Sequence, residues 1–168
     1  MSSAAGPDRA AAARLAAEVR REIAALDRSV GILSDALARH RGNVDDVVIV
    51  HGVAGLVHDF YTGVERIFER ISPSLDGATP TGGSWHRDLL RAMSLDLPTI
   101  RPPVLSVETE AQLAEYLRFR HLFRNLYAFD LKWSRVRELA EGVAPLWATT
   151  RDELSTFLSF LDAIVASI

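Results

Sequence analysis

The segment RFRHLFRNLYAFDL, residues 118–131, sets three arginines, a histidine and an asparagine among large apolar side chains and a tyrosine. Read as one continuous helix turning about 100° per residue, it gathers Arg118, Arg120, His121, Arg124 and Asn125 into an arc narrower than half the circle. Phe119, Leu122, Phe123, Leu126, Tyr127 and Phe129 take the rest. An amphipathic helix of this kind gives its apolar face to a core. The other face is cationic, carries an imidazole and suits an anion. Arg120 and Arg124 are like charges four residues apart, which costs an isolated helix about 0.2–0.5 kcal/mol, and no acid lies between His121 and Asp130 to offset it. The competing reading is a solvated helix face with no ligand.

Other chemistry-bearing residues give weaker patterns. His51, His58 and Glu65 recur every seven residues. Two helical turns are too long a step for one metal ion without ligands from other helices, and the i,i+3 or i,i+4 pairing typical of helical metal sites is missing. No metal site is expected, and no cofactor. Trp133 and Trp147 read as core or interface anchors. The glycine-containing pieces GNVDD and TGGSW lack the strand and helix context of a phosphate loop.

The whole chain limits these options. Its 168 residues fit one domain with a substantial core. There is no cysteine, which removes disulfides, thiolate metal sites and a cysteine nucleophile, and suits the cytoplasm. The N-terminal stretch carries Asp8, Arg9 and Arg14 and has no apolar signal-peptide core, and no later run reaches membrane-spanning length. The expectation is a cytoplasmic protein with no membrane partner. A net charge of −3 argues against broad phosphate neutralisation, so any nucleic-acid site is local. Lys132 is the one lysine, and the arginines offer forked donors suited to phosphate.

The elements that must position these residues are helical. Leu15, Val19, Ile23, Leu26, Val30, Leu33 and Leu37 mark a first helix from about Asp8 to Arg41, stopped by Gly42. Asn43 offers an N-cap for a second, from about Val44 to Ile71, striped by Val50, Val53, Val57, Phe60, Val64 and Ile67. Residues 72–83 read as a loop, and Ser84 caps a short third helix, WHRDLLRAMSL. Pro98, Pro102 and Pro103 enforce an extended connection. A fourth helix begins at Ser106 or Thr109 and runs through residues 118–131. The last covers about Lys132 to Ser167, with Pro145 kinking or dividing it. Long helices joined by short loops imply an all-α, antiparallel up-and-down bundle of four to five helices. Residues 1–168 would be a single domain, with residues 1–7 disordered.

With these pieces in place the chain resembles the HEPN superfamily, and within it the HepT-like toxins: small helical-bundle ribonucleases paired with a nucleotidyltransferase antitoxin. LVHDFYTGVERIFERI (56–71), SWHRDLL (84–90) and RFRHLFRNLYAFDL carry the resemblance. The family motif is an arginine followed by a polar residue, a histidine four to six positions after the arginine, and often a tyrosine two further on. Arg124 and Asn125 match its beginning. Ala128, Phe129 and Asp130 occupy the histidine positions, while His121 stands one turn upstream.

The resemblance implies a metal-independent endoribonuclease acting as a homodimer. Such cleavage needs a base for the 2′-hydroxyl, an acid for the leaving oxygen and cations on the phosphorane. Arg124 would hold the phosphate, His121 would serve as acid and base, and Asn125 would orient the substrate or the imidazole. Arg118, Arg120 and His86 would contact the RNA. With one imidazole in residues 118–131, a face-to-face dimer would supply two. The antitoxin would silence the toxin by adenylylating Tyr127, with Tyr61 and Tyr116 the remaining acceptors. Two other readings stay open: a non-catalytic HEPN module binding RNA, a nucleotide or a partner protein through this face, and a plain helical interaction protein.

Overall fold

The computed structural model describes residues 8–167; the expectation of disorder for residues 1–7 falls outside them. Five α-helices carry the fold of the described residues: α1 (Arg9–Arg39), α2 (Val47–Ile71), α3 (Trp85–Ala92), α4 (Val107–Phe123) and α5 (Trp133–Ala166). A π-helical turn, Ser72–Asp76, extends α2, and a 3-10 turn, Ala128–Asp130, precedes α5. The described residues contain no strand, only an isolated bridge between Leu97 and Arg101. This is the expected all-α bundle.

The apolar stripes account for the packing. Leu15, Val19, Ile23, Leu26 and Leu33 of α1 are buried, and α1 lies along both α2 and α5. At Gly63 of α2 a Cβ would stand 2.7 Å from Leu26 Cδ2, so the missing side chain lets α1 and α2 approach closely. The centre of the bundle is α2, which also meets α4 and α5. Contrary to expectation, one described stretch, Val47–Asp76, is long and apolar enough to cross a membrane. Its composition follows from its place: a helix contacted on several sides is apolar on several sides, and Val50, Val53, Val57, Phe60, Val64, Ile67 and Phe68 are buried in the core.

Three helix-end expectations need correction. Asp46, not Asn43, caps α2: its carboxylate accepts from the Val48 and Ile49 amides at 2.8 and 3.3 Å, while Asn43 donates to Asp45. A carboxylate both accepts from and electrostatically favours the amide end of a helix. Ser84 stands at the N-cap of α3 but makes no capping bond, its hydroxyl donating instead to Asp88. Pro145 does not divide α5, which continues from Trp133 to Ala166. Burial of Val143, Leu146 and Trp147 on either side holds it together. Gly142 serves a neighbour here, since a Cβ would come within 2.6 Å of the Tyr116 hydroxyl, which donates to the Leu139 carbonyl.

The segment between α3 and α4 is fastened by Arg101, whose side chain is fully enclosed. Its Nε and Nη2 donate to the two Asp76 oxygens at 2.7 and 2.8 Å. The same guanidinium donates to the carbonyls of Ala92, Leu95 and Pro102. Every nitrogen therefore has an acceptor, which a buried guanidinium requires.

Candidate functional site

The segment 118–131 is not one helix. It leaves the helical path after Phe123, with Arg124 as the C-cap residue and Asn125 in a turn. The Asn125 side-chain amide donates to the His121 carbonyl at 2.8 Å, satisfying one of the carbonyls a helix end leaves open. Asn125 thus ends the helix through the His121 backbone. Beyond the break the angular reading fails: Tyr127 and Phe129, assigned to the apolar arc, are each 72% exposed and stack in parallel at 5.5 Å. Leu122 is also exposed.

The cationic arc separates into three environments. Arg118 lies in solvent beside Glu115, a single turn away on the same helix. Arg120 turns inward and is only 9% exposed. Arg124 and His121 lie at the exposed end of α4. Of the five residues first grouped together, Arg120 and His121 reach a shared cluster, and its remaining members come from other helices.

Glu65 of α2 is 4% exposed. Its Oε2 stands 2.8 Å from Nδ1 of His86 on α3. Arg120 of α4 brings Nη1 to 3.4 Å from His86 Nε2 and Nη2 to 3.8 Å from Glu65 Oε1. A guanidinium can only donate, so the nitrogen facing it must accept, and His86 carries its hydrogen on Nδ1, donated to Glu65. Trp85 stacks on the His86 ring at 3.6 Å, and the His121 ring meets it edge-on at 5.5 Å. Beside the one imidazole of residues 118–131 thus stands a second, from α3.

Electrostatics follow from this crowding. Partial burial comes first among the causes holding the His121 imidazole below its ordinary value; His86 and Arg120 push the same way, and Glu65 opposes them. Partial burial, then the Glu65 carboxylate, raises the Glu69 carboxyl. Burial drives the enclosed Tyr61 hydroxyl upward, with Glu65 adding to it. Two buried atoms at this place have no hydrogen-bond partner: the Tyr61 hydroxyl and Arg120 Nε. Burying a half-paired arginine against a carboxylate is unfavourable unless the spare donor is used.

His51 and His58 do not join the cluster; both rings rest on Phe123, at 5.1 and 5.2 Å. Among the described residues no group of three or more histidines, aspartates and glutamates could hold a metal ion. Glu65 is the site residue that sequence reading missed, having weighed it only as a metal ligand. The signal was present, since Glu65 is the one acid inside the stripe formed by Val57, Phe60, Tyr61, Val64 and Phe68. Of the three tyrosines, Tyr61 and Tyr116 are buried, and Tyr116 is pushed up to about 12 by burial and then by Glu115.

Comparison with known proteins identifies a family. The family model described as HepT-like protein matches residues 52–161, which include Glu65, His86, Arg120, His121, Arg124 and Tyr127. No curated protein matches the chain, and no solved structure does. The match takes in well over half of the residues, three helix-borne parts of the cluster and the break after Phe123. The chain belongs to the HepT-like family.

Proposed function

We propose that this chain is the toxin of a HepT-like toxin–antitoxin pair, a metal-independent endoribonuclease that acts in the cytoplasm as a homodimer, with residues 1–168 forming one HEPN-like domain. The observation that carries the reading is the His121 ring, set at the exposed end of α4 between Arg120 and Arg124 and held below the ordinary histidine value. An uncharged imidazole beside two guanidinium groups matches the demands of RNA transphosphorylation: a proton acceptor for the 2′-hydroxyl and cations for the charge that grows on phosphorus. Arg124 holds the phosphate, and Arg118 extends the cationic track along the backbone. Asn125 acts on the substrate only through the helix end it fixes. Purified protein incubated with total tRNA and EDTA tests the reading: products with 2′,3′-cyclic ends support it, and intact tRNA refutes it.

The homodimer draws support from the apolar surface near this end of α2. Val47 and Val48 are exposed, and Val47 lines a groove with Phe129 and Leu131. Light scattering at micromolar concentration should give twice the 18.5 kDa chain mass. The antitoxin reading rests on Tyr127, the exposed tyrosine, whose hydroxyl a nucleotidyltransferase can reach without unfolding the helices. An adenylyl phosphate there would add negative charge three residues beyond Arg124 and oppose the binding of RNA. Intact mass after co-expression should rise by whole AMP units in the wild type and not in Tyr127→Phe.

A second reading, a non-catalytic module that binds RNA through the same face, is favoured by one observation. Arg120 and His86 are engaged with Glu65 and one another rather than free. A gel shift without cleavage would establish it.

A further inference from the structure

Resting on the reading of this face as an RNA surface, which the cleaving and the non-cleaving functions share, we propose that the Tyr127 ring is a stacking platform for an unpaired nucleobase. Phe129 backs that ring, and the RNA held at Arg124 is single-stranded where it passes. The argument begins with two rings that gain nothing from the core. Tyr127 and Phe129 are each 72% exposed, although aromatic side chains are among those that gain most from burial. They stack on one another at 5.5 Å with only 4° between their planes. Each covers one face of the other, and the second face of Tyr127 is left open to solvent.

The rings stand on a fastened turn. The Asp130 amide donates to the Tyr127 carbonyl at 3.0 Å and the Leu131 amide to the Ala128 carbonyl at 3.3 Å, which closes the 3-10 turn between α4 and α5. Both ends of the turn are tied down. Before it, the Asn125 side chain returns to the His121 carbonyl. After it, Leu131 packs on the core and the buried Trp133 donates to the Gly42 carbonyl. Rings held in this way have little freedom left to lose when a partner binds, which is the benefit of a preorganised surface.

Charge selects the occupant. Arg124 stands three residues before Tyr127 and Lys132 three after Phe129, both exposed. Asp130 is the one carboxylate within residues 118–132. Asp45, in the groove that Phe129 and Lys132 also line, accepts from Asn43. An aromatic face flanked by two cations offers stacking to a base and pairing to the phosphates on either side of it. A base inside a duplex is covered on both faces by its neighbours, so the ring can take only a base splayed from an unpaired strand. Phe129 borders the groove with Val47 and Leu131 on which the homodimer reading draws, and Tyr127 lies outside that groove. A base on Tyr127 therefore leaves the groove to a second copy.

The probe is a short fluorescein-labelled strand of 2′-O-methyl ribonucleotides, which lacks the hydroxyl nucleophile, so that anisotropy reads binding without cleavage. Tyr127→Leu should bind it about tenfold or more weakly, the scale of one lost base–aromatic stack. Tyr127→Phe, which keeps the ring and loses the hydroxyl, and Tyr127→Trp should bind as the wild type does. At so exposed a position all three should keep the wild-type thermal midpoint. The salt dependence of binding should be unchanged in Tyr127→Leu, whereas Arg124→Ala should flatten it because a phosphate contact is gone. Undiminished binding by Tyr127→Leu, equal loss on the strand and its duplex, or equal loss in Tyr127→Phe would overturn the proposal. So would a halved mass in Tyr127→Leu by light scattering, which would assign the ring to a contact between copies. A strand carrying 5-iodouridine should crosslink to Tyr127 under long-wavelength ultraviolet light, and crosslinks confined to other residues would refute the platform. The two readings fail separately. Intact tRNA together with a wild-type complex that Tyr127→Leu weakens removes the enzyme and keeps the platform; cleaved tRNA together with unweakened binding in Tyr127→Leu removes the platform and keeps the enzyme.

Discussion

Two arginines are buried among the described residues, and their surroundings could hardly differ more. Arg101 meets a bidentate carboxylate and three backbone carbonyls, with every nitrogen engaged. Arg120 has a long contact to a histidine, a carboxylate at 3.8 Å and an Nε with no partner. Saturated hydrogen bonding makes a charge part of the framework, because any movement would strand it. Incomplete hydrogen bonding leaves a charge with donors to give. Two side chains of one type, both enclosed, thus divide into a fastening and a tool by how many of their donors are already spoken for.

The largest expected effect tests the fastening. Arg101→Met leaves Asp76 without its partner and should lower stability by about 3–5 kcal/mol, the cost of breaking a buried pair, read from the urea midpoint. Cleavage per folded molecule should stay at the wild-type rate. If Arg101→Met is as stable as wild type, saturation does not mark a framework charge and the contrast collapses.

Next come the residues assigned to chemistry. Arg120→Ala should reduce RNA cleavage by about 10²–10³-fold, as when one preorganised donor is removed from a developing anion, and should destabilise less than Arg101→Met. His121→Ala and Arg124→Ala should likewise abolish cleavage, with stability changed by no more than about 0.5 kcal/mol, as at other exposed positions. Unfolding of Arg120→Ala on the scale of Arg101→Met would make both arginines structural.

A smaller effect appears with pH. His121 binds a proton less readily in the folded chain than at its ordinary value of 6.5. Below that pH the unfolded chain holds more protons, so this group's contribution to stability is intact above about 6.5 and is lost as pH falls through the folded value. The acidic limb of the wild-type cleavage profile should accordingly lie below pH 6.5, read from initial rates across pH. The smallest effect belongs to Arg118→Ala, whose side chain stands in solvent: stability within about 0.5 kcal/mol and a modest rise in the Michaelis constant, measured on the same RNA.

The bundle was legible because its signal is periodic. Spaced apolar residues gave α1 and α2 nearly to their ends, and prolines gave the extended passage before α4. The helix of residues 118–131 was misread for want of punctuation, since neither glycine nor proline marks the end at Phe123. What ends it is a side-chain amide returning to a backbone carbonyl, a competition that a helical wheel does not register. The Glu65–His86–Arg120 cluster was invisible for a different reason: 21 and 34 residues separate its contacts along the chain, and no local pattern encodes which helices meet. Arg101 was hidden in the same way, a charge in a proline-rich passage whose partner lies 25 residues earlier.

The stacking of Trp85 on His86 has an optical consequence. Indole emission is quenched by a protonated imidazole in van der Waals contact, and these rings are 3.6 Å apart at an angle of 28°. The other two tryptophans are occupied elsewhere, Trp133 donating to the Gly42 carbonyl and Trp147 to Asp27. Trp85 is thus the indole stacked on a histidine ring. The molecule therefore carries a native fluorophore against the Glu65–His86–Arg120 cluster, and an unlabelled sample would report a ligand that disturbs that stack.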